Sequence, residues 1–247
     1  MKSVELVVLG GCHVAGYPIG PDQAFPAQLS ELLGGRLVGE VSYLKFTHLP
    51  EHLLLIDRLH PSHVVLQLGN HEFADSFRPL LRQLREVLWP QQPSRLASPP
   101  ATPPKPAGPT AAPASAAHPQ QVARPRHWLR VGGLSLLTAL LWLLSPAHRR
   151  SFWALNACMR RHPDTAFVFL SPFPSLNPTQ SAVRRVGGWL LHQRLVARAN
   201  CHWLDSHRLL RPNQQLFVDA SHLNRRAHRV LAYGLATAVL ANLDALL

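Results

Sequence analysis

The chain has 247 residues, of which 47% are hydrophobic, so it can bury a substantial core and is not globally disordered. Lys and Arg number 25 against 13 Asp and Glu, which gives a formal net charge of +12. This charge favours an anionic partner, but no compact basic run is present, and a coding bias toward Arg explains it equally well. The 3 cysteines are too few for a disulfide framework and lack zinc-site spacing, which indicates a reducing compartment and predicts no metal site.

The N-terminal segment contains Leu9-Gly10-Gly11-Cys12, which resembles the cleavage box of a bacterial lipoprotein. The apolar run before this box is only about five residues long, whereas a secretory signal needs roughly 7–15. We therefore predict a buried strand at residues 4–9 and no signal peptide. A cytoplasmic location in a bacterial cell is the expectation that follows.

Strand and helix patterns alternate from the N-terminus to residue 90. Apolar runs at 4–9 and 63–68 predict buried strands, and the segment at 37–43 predicts a short strand. The segments between them predict helices, the first of which ends at the glycine pair at 34–35. The predicted strands are residues 4–9, 37–43 and 63–68, and the predicted helices are residues 24–33, 51–59 and 77–88.

A low-complexity segment at residues 90–127 interrupts this pattern with prolines separated mainly by Ala, Ser and Gln. Such a composition cannot bury apolar area, so it predicts a disordered insert. We expect residues 1–247 to form one domain, with this insert inside it.

The alternation resumes after the insert. The predicted strands are residues 166–170 and 202–204, and the predicted helices are residues 134–144, 147–161, 180–199 and 224–243. The uncharged stretch at residues 131–147 is shorter than a membrane-spanning helix requires, so we interpret it as a buried helix. Contact with an anionic membrane surface is the alternative, because arginines flank this stretch. The arginine pairs at 160–161, 184–185 and 225–226 are expected to lie on solvated helix faces.

Strands that are apolar on both faces and separated by helices predict a parallel sheet covered on both sides. Sites in such sheets form at the carboxyl ends of the strands. The loops at these ends carry Cys12 and His13, Asn70 and His71, and Asp219 and His222. A nucleophile, an amide donor and an Asp-x-x-His pair are the parts of acyl-transfer chemistry.

These motifs resemble those of the SGNH or GDSL-type hydrolases, which are flavodoxin-like α/β esterases and acylhydrolases. The family's opening Gly-Asp-Ser corresponds to residues 10–12, where Cys12 replaces the serine and Gly11 the aspartate. Its Gly-x-Asn corresponds to residues 69–70, with one residue fewer between, and its terminal Asp-x-x-His to residues 219–222. The resemblance spans nearly the whole chain and implies a three-layer sandwich around a central parallel sheet.

The resemblance implies that Cys12 is the nucleophile, that His222 is its general base and that Asp219 orients the imidazole. The amide dipoles of the turn after the first strand are expected to favour the thiolate. The Cys12 backbone N–H and the Asn70 side chain are expected to receive the oxyanion.

The family's second block supplies a further oxyanion donor, for which Gly39 is the only glycine in the corresponding region. A backbone N–H at residues 42–43 is the alternative donor. From the neighbouring loops, His13 and His71 are expected to contact the substrate. We also expect residues 171–172 to shape the pocket wall and the helix at 134–144 to cover the pocket as a lid.

The resemblance therefore implies an SGNH-like hydrolase that cleaves an ester or thioester through a Cys-His-Asp site, without a cofactor. The alternative is an inactive protein of the same fold that binds a ligand, a partner or an anionic surface. Nucleic-acid binding ranks last, because no helix-turn-helix, zinc-finger or RNP signature is present. The oligomeric state stays open.

Overall fold

The computed structural model describes residues 4–70, 72–73, 77–88, 125–195 and 200–244. Its strands are β1 (Glu5–Leu9), β2 (Arg36–Val41), β3 (His63–Gln67), β4 (Ala166–Leu170) and β5 (Cys201–Leu204). They form one sheet of 5 strands in the order β2-β1-β3-β4-β5, and every neighbouring pair is parallel. This topology confirms the predicted central parallel sheet.

The helices connect these strands as parallel pairing requires. They are α1 (Phe25–Leu32), α2 (Leu49–Leu59), α3 (Phe77–Leu88), α4 (Pro125–Leu144), α5 (Pro146–Arg161), α6 (Pro178–Leu195), α7 (Ser206–Leu209) and α8 (Arg225–Asp244). Short 3-10 turns at Pro21–Gln23, Phe46–His48 and Gln214–Leu216 complete the described elements. The four-residue α7 was not predicted.

Alternate strand residues face two separate cores, one on each side of the sheet. In β3, Val64 and Leu66 face the side covered by α2 to α6, whereas Val65 faces the side covered by α1 and α8. All five residues of β3 and of β4 are buried, which explains their continuous apolar sequences. The molecule is thus a three-layer α/β sandwich of the flavodoxin-like type.

The end of the predicted insert is helical rather than disordered, because α4 begins at Pro125. Proline suits the first turn of a helix, since the N–H that it lacks has no partner there. Residues 90–124 of the predicted insert lie outside the described residues. The predicted helix at 134–144 is therefore the second half of a longer one.

No single helix among the described residues is long and apolar enough to cross a membrane. The segments His127–Trp142 and Pro146–Arg161 reach that threshold only as a pair, and they are bent by 69° relative to each other.

Candidate functional site

The Asp219–His222 pair is built within a single tight loop before α8. An antiparallel bridge between Phe217 and Leu223 closes this loop, and the Val218 N–H donates to the His222 carbonyl at 2.8 Å. The ring nitrogen Nδ1 of His222 lies 2.7 Å from Oδ2 of Asp219. The loop therefore holds the imidazole and the carboxylate in one fixed geometry.

The other carboxylate oxygen of Asp219 is also engaged. It accepts the backbone N–H groups of Ser221 and His222, both at 2.8 Å. Partial burial raises the pKa of the Asp219 carboxyl, but these N–H groups and the His222 ring together lower it below its usual value. Asp219 is therefore ionised at neutral pH and able to orient the imidazole.

The His222 ring lies against the turn that follows β1. Its centroid is 4.9 Å from that of Tyr17, in an edge-on arrangement, and 5.8 Å from that of His13. The Tyr17 N–H in turn donates to the Cys12 carbonyl at 3.1 Å. The structure thus brings the early Cys12 turn and the late His222 loop together at the same edge of the sheet.

The Cys12 thiol is half-buried at this turn. Burial raises its pKa, whereas the backbone N–H groups of Cys12 and His13 and the positive charge of Arg184 lower it. The Asp219 charge raises it further, and the net shift is upward. The N–H groups of the turn therefore favour the thiolate, as expected, but the cost of burying a charge outweighs them and the thiol stays protonated at neutral pH.

Close backbone packing and one buried side chain shape the Cys12 turn. A Cβ at Gly10 would lie 2.8 Å from side-chain atoms of both Gln67 and Val14, so only glycine fits there. The Gly11 N–H donates to Oε1 of Gln67 at 3.0 Å, which anchors the turn to the end of β3. The sequence reasoning missed Gln67, whose neighbours in the chain are all apolar.

The Asn70 side chain lies at the carboxyl end of β3 and is nearly buried. Its Oδ1 accepts the Phe173 N–H at 2.8 Å, which directs the amide NH2 group away from that backbone. The preceding Gly69 has φ of +89°, and a Cβ there would lie 2.8 Å from Pro172. Glycine is required at this position, and the predicted wall residue Pro172 packs directly against it.

Arg184 fastens the Asn70 loop to the loop after β4. Its guanidinium donates to the Asn70 carbonyl at 3.1 Å and to the Phe173 carbonyl at 3.2 Å. The residue is only 5% exposed, so the prediction that it lies on a solvated helix face is wrong. A single arginine can reach both carbonyls because its donors are spread over a planar fork.

Gly39 lies within β2, opposite Val7 of β1, and not at the carboxyl end of the strand. A Cβ there would lie 2.9 Å from Leu55 of α2, so the missing side chain serves helix packing. The structure therefore does not bring Gly39 to the Cys12 turn. The chain does return to that turn just after β2, where the Leu44 N–H donates to the Gly10 carbonyl at 2.8 Å.

His13 is 2% exposed, so the structure does not present it to a substrate, contrary to expectation. Its ring is 4.9 Å from that of Phe173 and 5.9 Å from that of His228. Burial, with the nearby positive charges, lowers the pKa of His13 well below its usual value. It is a neutral packing residue beside the site. His71, the other predicted substrate contact, lies outside the described residues.

One group among the described residues could hold a metal ion, and it is far from this edge of the sheet. Ligand atoms of Asp57, Cys158 and His162 lie within 4.8 Å of one another near the amino ends of the strands. The Asp57 carboxylate already pairs with Arg161 at 2.8 Å and with His162 at 2.7 Å. Burial raises the pKa of Cys158 to about 11, so this thiol is not readily ionised.

The sequence matches no family model and no curated protein. Solved structures, however, share its fold. A family 3 carbohydrate esterase from Clostridium thermocellum superposes with a TM-score of 0.54 at 12% identity, over 99% of each chain. A carbohydrate esterase family 2 enzyme from Corynascus thermopiles (Myceliophthora fergusii) gives 0.55 at 12% identity, over 99% of this chain and 68% of that one.

A lipolytic protein of the G-D-S-L family from Desulfitobacterium hafniense DCB-2 is also similar. The TM-score is 0.50 at 11% identity, over 95% of this chain and 99% of that chain. At these identities the likeness establishes the architecture, and it agrees with the fold that the sequence motifs predicted.

Proposed function

We propose that this chain is an ester hydrolase of the SGNH type, in which Cys12 is the nucleophile, His222 the general base and Asp219 its orienting partner. The observation that carries the proposal is the 2.7 Å contact between Asp219 and His222, in a loop packed against the Cys12 turn. The fold neighbours named as carbohydrate esterases and as a lipolytic protein support an ester as the substrate.

Asp219 determines which nitrogen of the His222 ring can accept a proton. Its carboxylate accepts the Nδ1–H of His222, which leaves Nε2 as the basic nitrogen. Because burial keeps the thiol neutral, His222 must take its proton as the sulfur attacks. A serine nucleophile depends on its histidine in the same way.

The sulfur bonds to the acyl carbon, and the π electrons of the carbonyl move onto its oxygen. As this tetrahedral intermediate collapses, the bond to the alcohol oxygen breaks and His222 returns its proton to the leaving alcohol. A thioester on Cys12 remains. Water, deprotonated by the same imidazole, then attacks the thioester and releases the carboxylic acid and the thiol.

We assign two oxyanion donors, the Cys12 backbone N–H and the Asn70 amide NH2 group. Asn70 suits this role because its Oδ1 is held by the Phe173 N–H, so the amide cannot turn over without losing that bond. Each such donor lowers the barrier by about 3 kcal/mol in comparable sites. The backbone at residues 42–43, held beside Gly10, is a third candidate in place of Gly39.

The test is acyl transfer from p-nitrophenyl acetate, followed by mass spectrometry of the intact chain and its peptides. We expect p-nitrophenol release and a transient acetyl group on Cys12, both abolished in Cys12→Ala. His222→Gln should slow acylation by about 10²–10⁴-fold, the usual effect of losing a general base. His48→Gln, which alters an exposed histidine, is the matched control.

Acetylation confined to other residues, or release unchanged in Cys12→Ala, would refute the proposed nucleophile. A well-folded chain that releases no p-nitrophenol from esters of varied acyl length would instead favour the ligand-binding alternative.

A further inference from the structure

Helix α4 carries a row of leucines exposed to solvent. Leu129, Leu136, Leu140 and Leu144 are 77, 64, 41 and 49% exposed. Their spacing of seven, four and four residues places them on one face of the helix, and we call this row the α4 stripe. Soluble monomers rarely expose a contiguous apolar surface of this kind unless it binds something.

The opposite face of α4 is apolar as well, because Val131, Leu134 and Leu141 are buried in the core. The stripe is therefore not the apolar face that attaches the helix to the domain. It is a second apolar face with no role in the described core, so its role lies outside the fold.

Both ends of α4 lie at the carboxyl edge of the sheet, where the candidate site is. Near its start, Nδ1 of His127 is 3.2 Å from Oγ1 of Thr179, in the first turn of the helix that follows β4. Near its end, the Trp142 ring stacks on Phe46 and Phe73, with centroids 4.9 and 5.3 Å away. Since Phe46 and Phe73 follow β2 and β3, α4 runs along this edge.

The surroundings of the stripe are positively charged. Helices α4, α5 and α6 contain no Asp or Glu. Arg130, Arg149, Arg150 and Arg185 are all exposed on them. Such a surface complements an anionic partner and repels another copy of this chain, whose net charge is also positive, at +12.

Exposed tryptophans on the same three helices indicate what kind of anionic partner fits. Trp128, Trp153 and Trp189 are 64, 70 and 60% exposed. Tryptophan is enriched at the boundary between headgroups and acyl chains, where its apolar ring is buried and its N–H meets polar groups. Leucine, tryptophan and arginine together match an anionic lipid surface better than nucleic acid, which offers no apolar layer.

We propose that the α4 stripe docks this protein on an anionic lipid bilayer. The leucines enter the boundary between headgroups and acyl chains, the helix lies in the plane of the membrane, and the arginines contact lipid phosphates. Because α4 runs along the edge that bears Cys12, docking places the candidate site next to the lipid. The binding itself does not depend on Cys12.

The test is flotation of the full chain with vesicles of phosphatidylcholine alone or with 30% phosphatidylglycerol. We expect binding only to the phosphatidylglycerol vesicles, with an affinity that falls as salt rises. Leu136→Gln combined with Leu140→Gln should weaken binding at least tenfold. The control is Leu54→Gln combined with Leu240→Gln, which changes leucines of similar exposure on α2 and α8 and should leave binding unchanged.

All substituted positions in both pairs are exposed, so circular dichroism should show that each variant folds. Equal loss of binding in both pairs, or equal binding to neutral vesicles, overturns the proposal. A different result that also overturns it is self-association through the stripe. In that case the wild type would sediment as a dimer and float with neither kind of vesicle, whereas the stripe variant would sediment as a monomer. Release of p-nitrophenol measured without vesicles reports separately on the ester hydrolase.

Discussion

The stability of this fold is coupled to pH through the buried imidazole of His228. Nδ1 of this residue in α8 accepts the backbone N–H of Phe25 at 3.0 Å. Phe25 begins α1, whose own N-cap residue, Ala24, contributes no side-chain hydrogen bond. His228 therefore caps α1 from a helix that is distant in the sequence but packed beside it. Only the neutral imidazole has the acceptor lone pair that this cap requires.

Burial lowers the pKa of His228 to about 4, against 6.5 in the unfolded chain. Between these values the unfolded chain binds more protons, so this group's contribution to the free energy of unfolding is lost as pH falls from about 6.5 to about 4. The full loss is about 3 kcal/mol, of which about 2 kcal/mol falls between pH 8 and pH 5. A protonated His228 would also face the positive N-terminal end of α1, and this repulsion further destabilises the folded state at low pH.

The perturbation that isolates this effect is His228→Asn. Asparagine offers an oxygen near the position of Nδ1 but does not titrate, and the cavity left by the smaller side chain costs the same at both pH values. The free energy of unfolding, measured with urea, should fall between pH 8 and pH 5 in both proteins, and the fall should be about 2 kcal/mol smaller in the variant than in the wild type. The exposed His48→Gln variant should keep the wild-type loss. An equal loss in His228→Asn and the wild type would refute the reasoning.

Three further changes test the scaffold of the site. Arg184→Met leaves two buried carbonyls without their donor, so kcat for ester hydrolysis should fall by about 10–100-fold with KM little changed. The control is Arg185→Met, which changes an exposed arginine and should alter neither constant. Asn70→Ala should lower kcat/KM by about 10²–10³-fold if its amide binds the oxyanion, and a smaller loss would remove it from that role. Gly187→Ala places a Cβ 2.4 Å from the Phe73 ring, so the free energy of unfolding in urea should fall by about 1–3 kcal/mol. Gly132→Ala, where the Cβ meets open space, should cause no such fall.

The sheet was predictable because its central strands are buried on both faces. In β3 and β4 every residue is buried, so each strand carries a continuous apolar run that stands out against the helices. The start of α4 was not predictable in the same way. Its first residue, Pro125, is also the last proline of the preceding low-complexity segment, and the His127–Thr179 contact joins its first turn to a helix that is remote in the sequence.

The Asp219–His222 pair was also predictable, because its geometry arises within four consecutive residues. The residues that the sequence reasoning missed all act across the fold. Gln67 reaches the Cys12 turn, Arg184 bridges two loops, and His228 caps a helix near the other end of the chain. A local pattern cannot distinguish such an arginine from one on a surface, because only the tertiary fold decides which of two adjacent arginines is buried.

Burial also decides how the thiol at Cys12 should behave, and here local reasoning alone is misleading. The N–H groups of the turn lower the pKa of Cys12, as expected, but the desolvation of a half-buried sulfur raises it by more. A neutral thiol reacts slowly with alkylating agents and oxidants, since the thiolate is the nucleophile. If His222 removes the proton only when an acyl carbonyl is in place, Cys12 will be sluggish toward iodoacetamide and still fast toward an activated ester. Slow alkylation is then no argument against catalysis, and acyl transfer to Cys12 is the measurement that separates an enzyme from a binding protein.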